Sequence, residues 1–182
     1  MPLLELKKLV HPPLRPLEAG SLAEWPAVEQ KLGLALPTDY RDFILTYGTG
    51  QFANFYMAFN PFSVSKWVNL HSSIERVCKA EREFKREWPQ MVPYAIFPDC
   101  PGLLPWGRDD NGNEYYWFTE GEPDSWQVIS NEGRGEGYRE YGRCMTDFLC
   151  EILTGQIEAL AGDYPSEEDR VFQPFDVTKE KT

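Results

Sequence analysis

Histidine is nearly absent, with only His11 and His71 in 182 residues, and four cysteines stand far apart at 78, 100, 144 and 150. No Cys-x-x-Cys pair occurs and no zinc-ligand spacing is met, so a structural metal site is not expected. A disulfide framework is equally unexpected in a chain of this size with a large apolar share. The cysteines read as reduced, mostly buried thiols. No run approaches the roughly 20 apolar residues that span a bilayer. The start, Met1-Pro2-Leu3-Leu4-Glu5-Leu6-Lys7-Lys8, has an acid and two lysines where a signal peptide needs an apolar run. The expected location is the cytoplasm, with no membrane partner. Basic residues are few: 18 Lys and Arg face 29 Asp and Glu, a net charge of −11. Phosphate binding needs a basic patch, so nucleic acid is not expected as a direct partner. The acidity fits either a basic protein partner or solubility alone.

Aromatics are plentiful, at 14%. They concentrate in Leu104-Pro105-Trp106-Gly107-Arg108-Asp109-Asp110-Asn111-Gly112-Asn113-Glu114-Tyr115-Tyr116-Trp117-Phe118. Asn111-Gly112 signals a tight hairpin, because both residues tolerate positive φ. The four aromatics favour a strand. Tyr115 and Trp117 would line one face, Tyr116 and Phe118 the other. Such a strand belongs in the middle of a sheet covered on both sides.

Around this hairpin the chain divides into a Pro-rich extended arm (1–20), a body (21–161) and an acidic tail (162–182). Trp25, Val28 and Leu32 share a helical face, closed by Gly33. Tyr40, Phe43, Ile44 and Tyr47 form a clearer helix between Pro37 and Gly48. Residues 49–62 read as a loop and a strand, Asn54–Phe59. A third helix spans Ser72 to Glu87 with the stripe Ile74, Val77, Cys78 and Phe84. Its wet side carries the pairs Lys79/Glu83 and Glu81/Lys85. Tyr94–Phe97 is a candidate strand, as is Trp126–Ser130, and Tyr138–Arg143 suits an edge. Met145–Leu153 is the last helix, with Gly155 able to cap it and Gln156–Ala161 able to extend it. Phe172 and Phe175 could anchor the tail. Hairpin-joined strands with segregated helices indicate the α+β class.

Leu32-Gly33, Leu36-Pro37-x-Asp39-Tyr40-Arg41-x-Phe43 and Tyr47-Gly48-x-Gly50 together resemble the N-terminal signature of the SUKH superfamily, relatives of the fungal Smi/Knr cell-wall regulators. Gly107, the Asp-Asp-Asn-Gly-Asn turn, the aromatic strand, Trp126 and the final helix continue the likeness over roughly residues 22–154. The resemblance implies a single α+β domain with a mostly antiparallel sheet flanked by helices. It further implies a non-enzymatic binding protein: an immunity protein that neutralises a cognate toxin, often a nuclease, or a scaffold in signalling. It brings no catalytic residues, and no cofactor.

The acidic turn fails as a calcium loop, since placing Gly112 sixth puts Gly107 first. A looser cation site at Asp109, Asp110 and Glu114 stands against a plain solvated turn. No histidine belongs to a nucleophile motif, and the Gly133–Gly137 loop lacks the Gly-Lys-Ser/Thr ending of a phosphate cradle. Nothing marks a carboxylate pair as buried, so no catalytic residue is assigned. For a basic toxin the candidate contacts are Asp109, Asp110, Glu114, Glu120, Glu122 and Asp124, presented by two neighbouring loops. Trp106 and Trp126 are either anchors beside them or core. No homo-oligomer is predicted.

Overall fold

The computed structural model describes residues 2–132, 137–157 and 165–175. In chain order these form α1 (Pro2–Leu9), α2 (Trp25–Leu32), α3 (Thr38–Tyr47), β1 (Gly50–Phe52), β2 (Tyr56–Ala58), α4 (Leu70–Glu87), β3 (Leu103–Asp109), β4 (Glu114–Phe118), β5 (Gln127–Asn131), β6 (Tyr138–Glu140), α5 (Met145–Thr154) and β7 (Phe172–Pro174). The strands make one sheet in the order β6-β5-β4-β3-β2-β1-β7, with every pairing antiparallel. From β1 to β6 this is a meander, with α4 inserted between β2 and β3. The protein is a single α+β domain.

β4 lies in the middle and is covered on both faces, as its aromatics require. Trp117 meets Tyr40 of α3 edge-on at 4.9 Å, and Tyr115 lies 5.3 Å from Phe148 of α5. On the other face Tyr116 reaches Glu81 of α4, and Phe118 packs on Tyr94. The core faces of α3 and α5 are those the 3.6-residue period marks: Tyr40, Phe43, Ile44 and Tyr47, and Met145, Phe148, Leu149, Ile152 and Leu153 are all buried.

The hairpin turn differs from the expected one. Only Gly112 has positive φ, at 84°. The Asp109 carboxylate accepts the backbone N–H groups of Asn111 and Asn113, both at 3.0 Å, and so stabilises a longer loop. A turn with two positive-φ residues occurs instead at Ala53 and Asn54, joining β1 to β2.

Four further expectations are corrected. Residues 1–20 are not an extended arm throughout. Pro2 opens α1, where a missing N–H costs nothing, and Pro12, Pro13 and Pro16 come only after that helix. Leu6 and Val10 are fully buried, and the Tyr47 hydroxyl donates to the Val10 carbonyl at 2.7 Å. Tyr94–Phe97 is not a strand; Ile96 makes one isolated bridge to Leu103 between flanking prolines. Phe84 leaves the α4 stripe for the surface, whereas Glu81, expected on the wet side, is buried. Of the cysteines, all free, only Cys78 is buried.

The acidic tail adds β7 to the edge of the sheet. Phe172 sits 4.9 Å from Phe52 and 5.2 Å from Tyr47, and the Phe175 N–H donates to Thr49. Gly155 caps α5 with φ of 74°. The expected extension over Gln156–Ala161 and the Gly133–Gly137 loop fall mostly outside the described residues.

Candidate partner-binding surfaces

The eight residues singled out in the sequence do not converge. Trp106 stacks on Tyr115 at 5.5 Å and touches Phe148, and Trp126 packs on Trp117 with its indole N–H donating to Gly121. Both are core, 1% and 5% exposed. Asp109 is also buried. Besides the two turn N–H groups it accepts the Asn113 side chain and the Tyr115 hydroxyl, each at 2.8 Å. Its charge is directed into the fold. Asp110 is exposed and takes a hydrogen bond from Gln51.

Glu114 is half-buried, with Arg76 of α4 at 3.5 Å. Burial pushes its carboxyl up to about 7, although Arg76 and Arg108 oppose the rise; Glu81 adds to it. The turn bearing Asp109–Glu114 and the loop bearing Glu120, Glu122 and Asp124 lie at opposite ends of β4, five residues long, or roughly 17 Å of strand. They are not neighbours, so the six acids form no single patch.

Asp124 instead joins Asp39 and Asp42, acids outside that set of eight. Its carboxylate accepts the backbone N–H of Thr38 at 2.6 Å and the Thr38 hydroxyl at 3.1 Å, which caps α3. Asp39, one residue further, accepts the N–H and hydroxyl of Thr146, both at 3.0 Å, and so satisfies the start of α5. Asp42 stands one turn along α3. Together with Leu3, Leu4 and Lys7 of α1, and Cys144, they line a groove of about 420 Å³. Asp42 is exposed and makes no hydrogen bond or ion pair among the described residues. Leu4 is 52% exposed. The groove therefore offers three carboxylates to one lysine beside an apolar wall.

A second concavity lies across the sheet, between α4 and the β5–β6 edge. Glu81, 7% exposed, accepts the hydroxyls of Tyr116 at 2.6 Å and Tyr138 at 2.5 Å, and the Asn131 amide at 2.9 Å. Phe84, Met91 and Glu132 complete a cleft of about 310 Å³. Only its four-residue spacing to Lys85 described Glu81 in the sequence, and that pointed outward. Lys85 in fact donates to the Tyr94 carbonyl, and Arg82 to that of Phe97.

Nucleophilic and metal chemistry find little footing. Loss of solvent, full around Cys78 and partial around Cys144 and Cys150, pushes all three thiols up to about 12, so each is neutral at pH 7. His71, within the first turn of α4, is lowered by burial and by Lys31. No cluster of three or more His, Cys, Asp or Glu is placed to hold a metal among the described residues. No helix among them is long and apolar enough to cross a membrane.

No curated protein and no solved structure matches the chain. The family model described as SMI1 / KNR4 (SUKH-1) matches residues 20–151. The match takes in α2, α3, α4, the six-strand meander and the greater part of α5, and leaves α1 and β7 outside. It covers well over half the sequence and agrees with the antiparallel α+β architecture, so the chain belongs to the SMI1 / KNR4 family (SUKH-1).

Proposed function

We propose that this protein is a non-enzymatic binding domain of immunity type, which neutralises a basic toxin domain, of nuclease character, in the cytoplasm. The observation that carries this reading is the groove in which Asp39, Asp42 and Asp124 meet Leu3 and Leu4. A toxin that grips phosphates presents a basic surface. Carboxylates beside an apolar wall can replace the phosphates and add burial. Glu120 and Glu122, exposed on the loop that ends at Asp124, extend the same negative field. Asp39 and Asp124 also hold helix ends, so their substitution would disturb the fold. Asp42 carries no such duty and is the position to test.

The test pairs the chain with a basic toxin domain encoded beside its gene and follows association at low salt. Asp42→Lys should slow association about tenfold while leaving thermal stability unchanged. Asp110→Lys, at the far end of β4, should leave the rate as in the wild type. A rate that drops for Asp110→Lys alone moves the contact to the β3–β4 turn. Absence of any complex with the neighbouring toxin ends the immunity reading.

A further inference from the structure

We propose that the cleft between α4 and the β5–β6 edge seats an arginine side chain of a protein partner, with Glu81 as its counter-charge. Glu81 is a carboxylate held in the fold by neutral donors alone: Tyr116 and Asn131 on Oε1, and Tyr138 on Oε2. A carboxylate oxygen accepts two hydrogen bonds, so Oε2 retains capacity for one more. No basic side chain forms an ion pair with it among the described residues. The nearest bases on the helix are engaged elsewhere, Arg76 with Glu114, and Arg82 and Lys85 with backbone carbonyls. Among the lining residues the charged ones are Glu81 and Glu132; Glu132 pairs with Arg139 at 3.3 Å, which leaves Glu81 as the carboxylate without a cation. A buried carboxylate without a cation is costly, and a guanidinium entering the cleft would offset that cost.

The walls suit the same group. Phe84 and Met91, both in the lining, are 43% and 49% exposed. Exposed aromatic and methionine side chains gathered at one place mark contact surfaces more than open solvent. A guanidinium is planar, weakly hydrated and stacks on aromatic rings; an ammonium is compact and strongly hydrated. Walls of Phe84 and Tyr138 above a single free carboxylate position therefore favour arginine over lysine. The volume, about 310 Å³, sits at the small end of ligand clefts, roughly 300–1,000 Å³, and suits one long side chain. The site lies on the opposite face of the sheet from the Asp42 groove and does not depend on the toxin reading.

The test titrates the full chain with N-acetyl-Gly-Arg-Gly-amide and follows backbone amide shifts by NMR. Saturable shifts over Ala80–Phe84 and at Tyr138 are expected, with a dissociation constant on the order of 1 mM. Glu81→Gln, similar in shape, should weaken binding at least tenfold. Phe84→Ala, which removes an exposed wall and touches no core contact, should weaken it several-fold with the fold intact. The citrulline peptide, equal in shape but uncharged, should not bind. Absent or non-saturating shifts at these residues overturn the proposal. So does wild-type affinity in both variants, or equal binding of the citrulline or the lysine peptide.

Discussion

Asp109 and Glu114 are two acids five residues apart, on one hairpin, with opposite electrostatic situations. Asp109 is buried but accepts four hydrogen bonds. Asp109→Ala would leave two backbone N–H groups, an amide and a hydroxyl without their acceptor. A loss of about 3 kcal/mol is expected, read as a lower urea midpoint with unchanged slope. Glu114 lacks such compensation. Its Oε2 is buried without a hydrogen-bond partner, and Arg76 lies at 3.5 Å from the other oxygen. Its carboxyl rises from the ordinary 4.5 to about 7. Between those values the folded state binds more protons than the unfolded one, so stability falls as pH rises through the window and recovers as pH falls. The ionised form above pH 7 costs at most about 3 kcal/mol. Glu114→Gln should flatten the stability profile between pH 5 and 7 and raise the melting temperature at pH 8. A variant that keeps the wild-type slope would locate the titrating group elsewhere.

At the level of elements, the segments outside the family match are packed onto the body rather than appended to it. α1 buries Leu6 against the α3–α5 layer. Leu6→Ala should cost about 2–4 kcal/mol by chemical denaturation, a value an unstructured arm would not produce. β7 closes the β1 edge, which would otherwise expose unpaired backbone groups. Its closeness depends on Gly50. A Cβ there would stand 2.4 Å from the Phe172 ring and 2.5 Å from the Gln173 carbonyl oxygen. Gly50→Ala should therefore detach β7. The expected readout is fast hydrogen exchange of the amides in 171–175, with the β3–β5 amides still protected. Phe172→Ala should loosen the same segment through lost packing on Tyr47 and Phe52.

For the molecule as a whole, the −11 charge acts at a distance that no single contact does. Under the binding reading, association with a basic partner should slow about tenfold between roughly 20 mM and 500 mM salt, as the Debye length contracts. Stopped-flow rates that ignore salt would leave the charge with solubility as its role. The acids are spread over both ends of β4 and over α3 and α4, so the long-range field and the local contacts are separable quantities. Asp42→Lys tests the second, ionic strength the first.

Much of this architecture was legible in the residues because it rests on local periodicity. Tyr40, Phe43, Ile44 and Tyr47 mark the inner face of α3 at helical spacing. The run Tyr115–Phe118 favours a strand covered on both sides, and β4 is one. The likeness in Leu36–Gly50 and in the hairpin named the family that the match over residues 20–151 then showed. The overall acidity also needed no coordinates. What the residues could not disclose is which acids face solvent, because a carboxylate's burial depends on donors brought from far along the chain. Glu81 is buried since Tyr116, Asn131 and Tyr138 arrive from 35, 50 and 57 residues away. Asp124 and Asp39 cap helices across separations of 86 and 107 residues. Hydrophobic period is a property of neighbours in sequence, whereas the satisfaction of a charge is a property of neighbours in space; the first is written in order along the chain, and the second exists only once the sheet has closed.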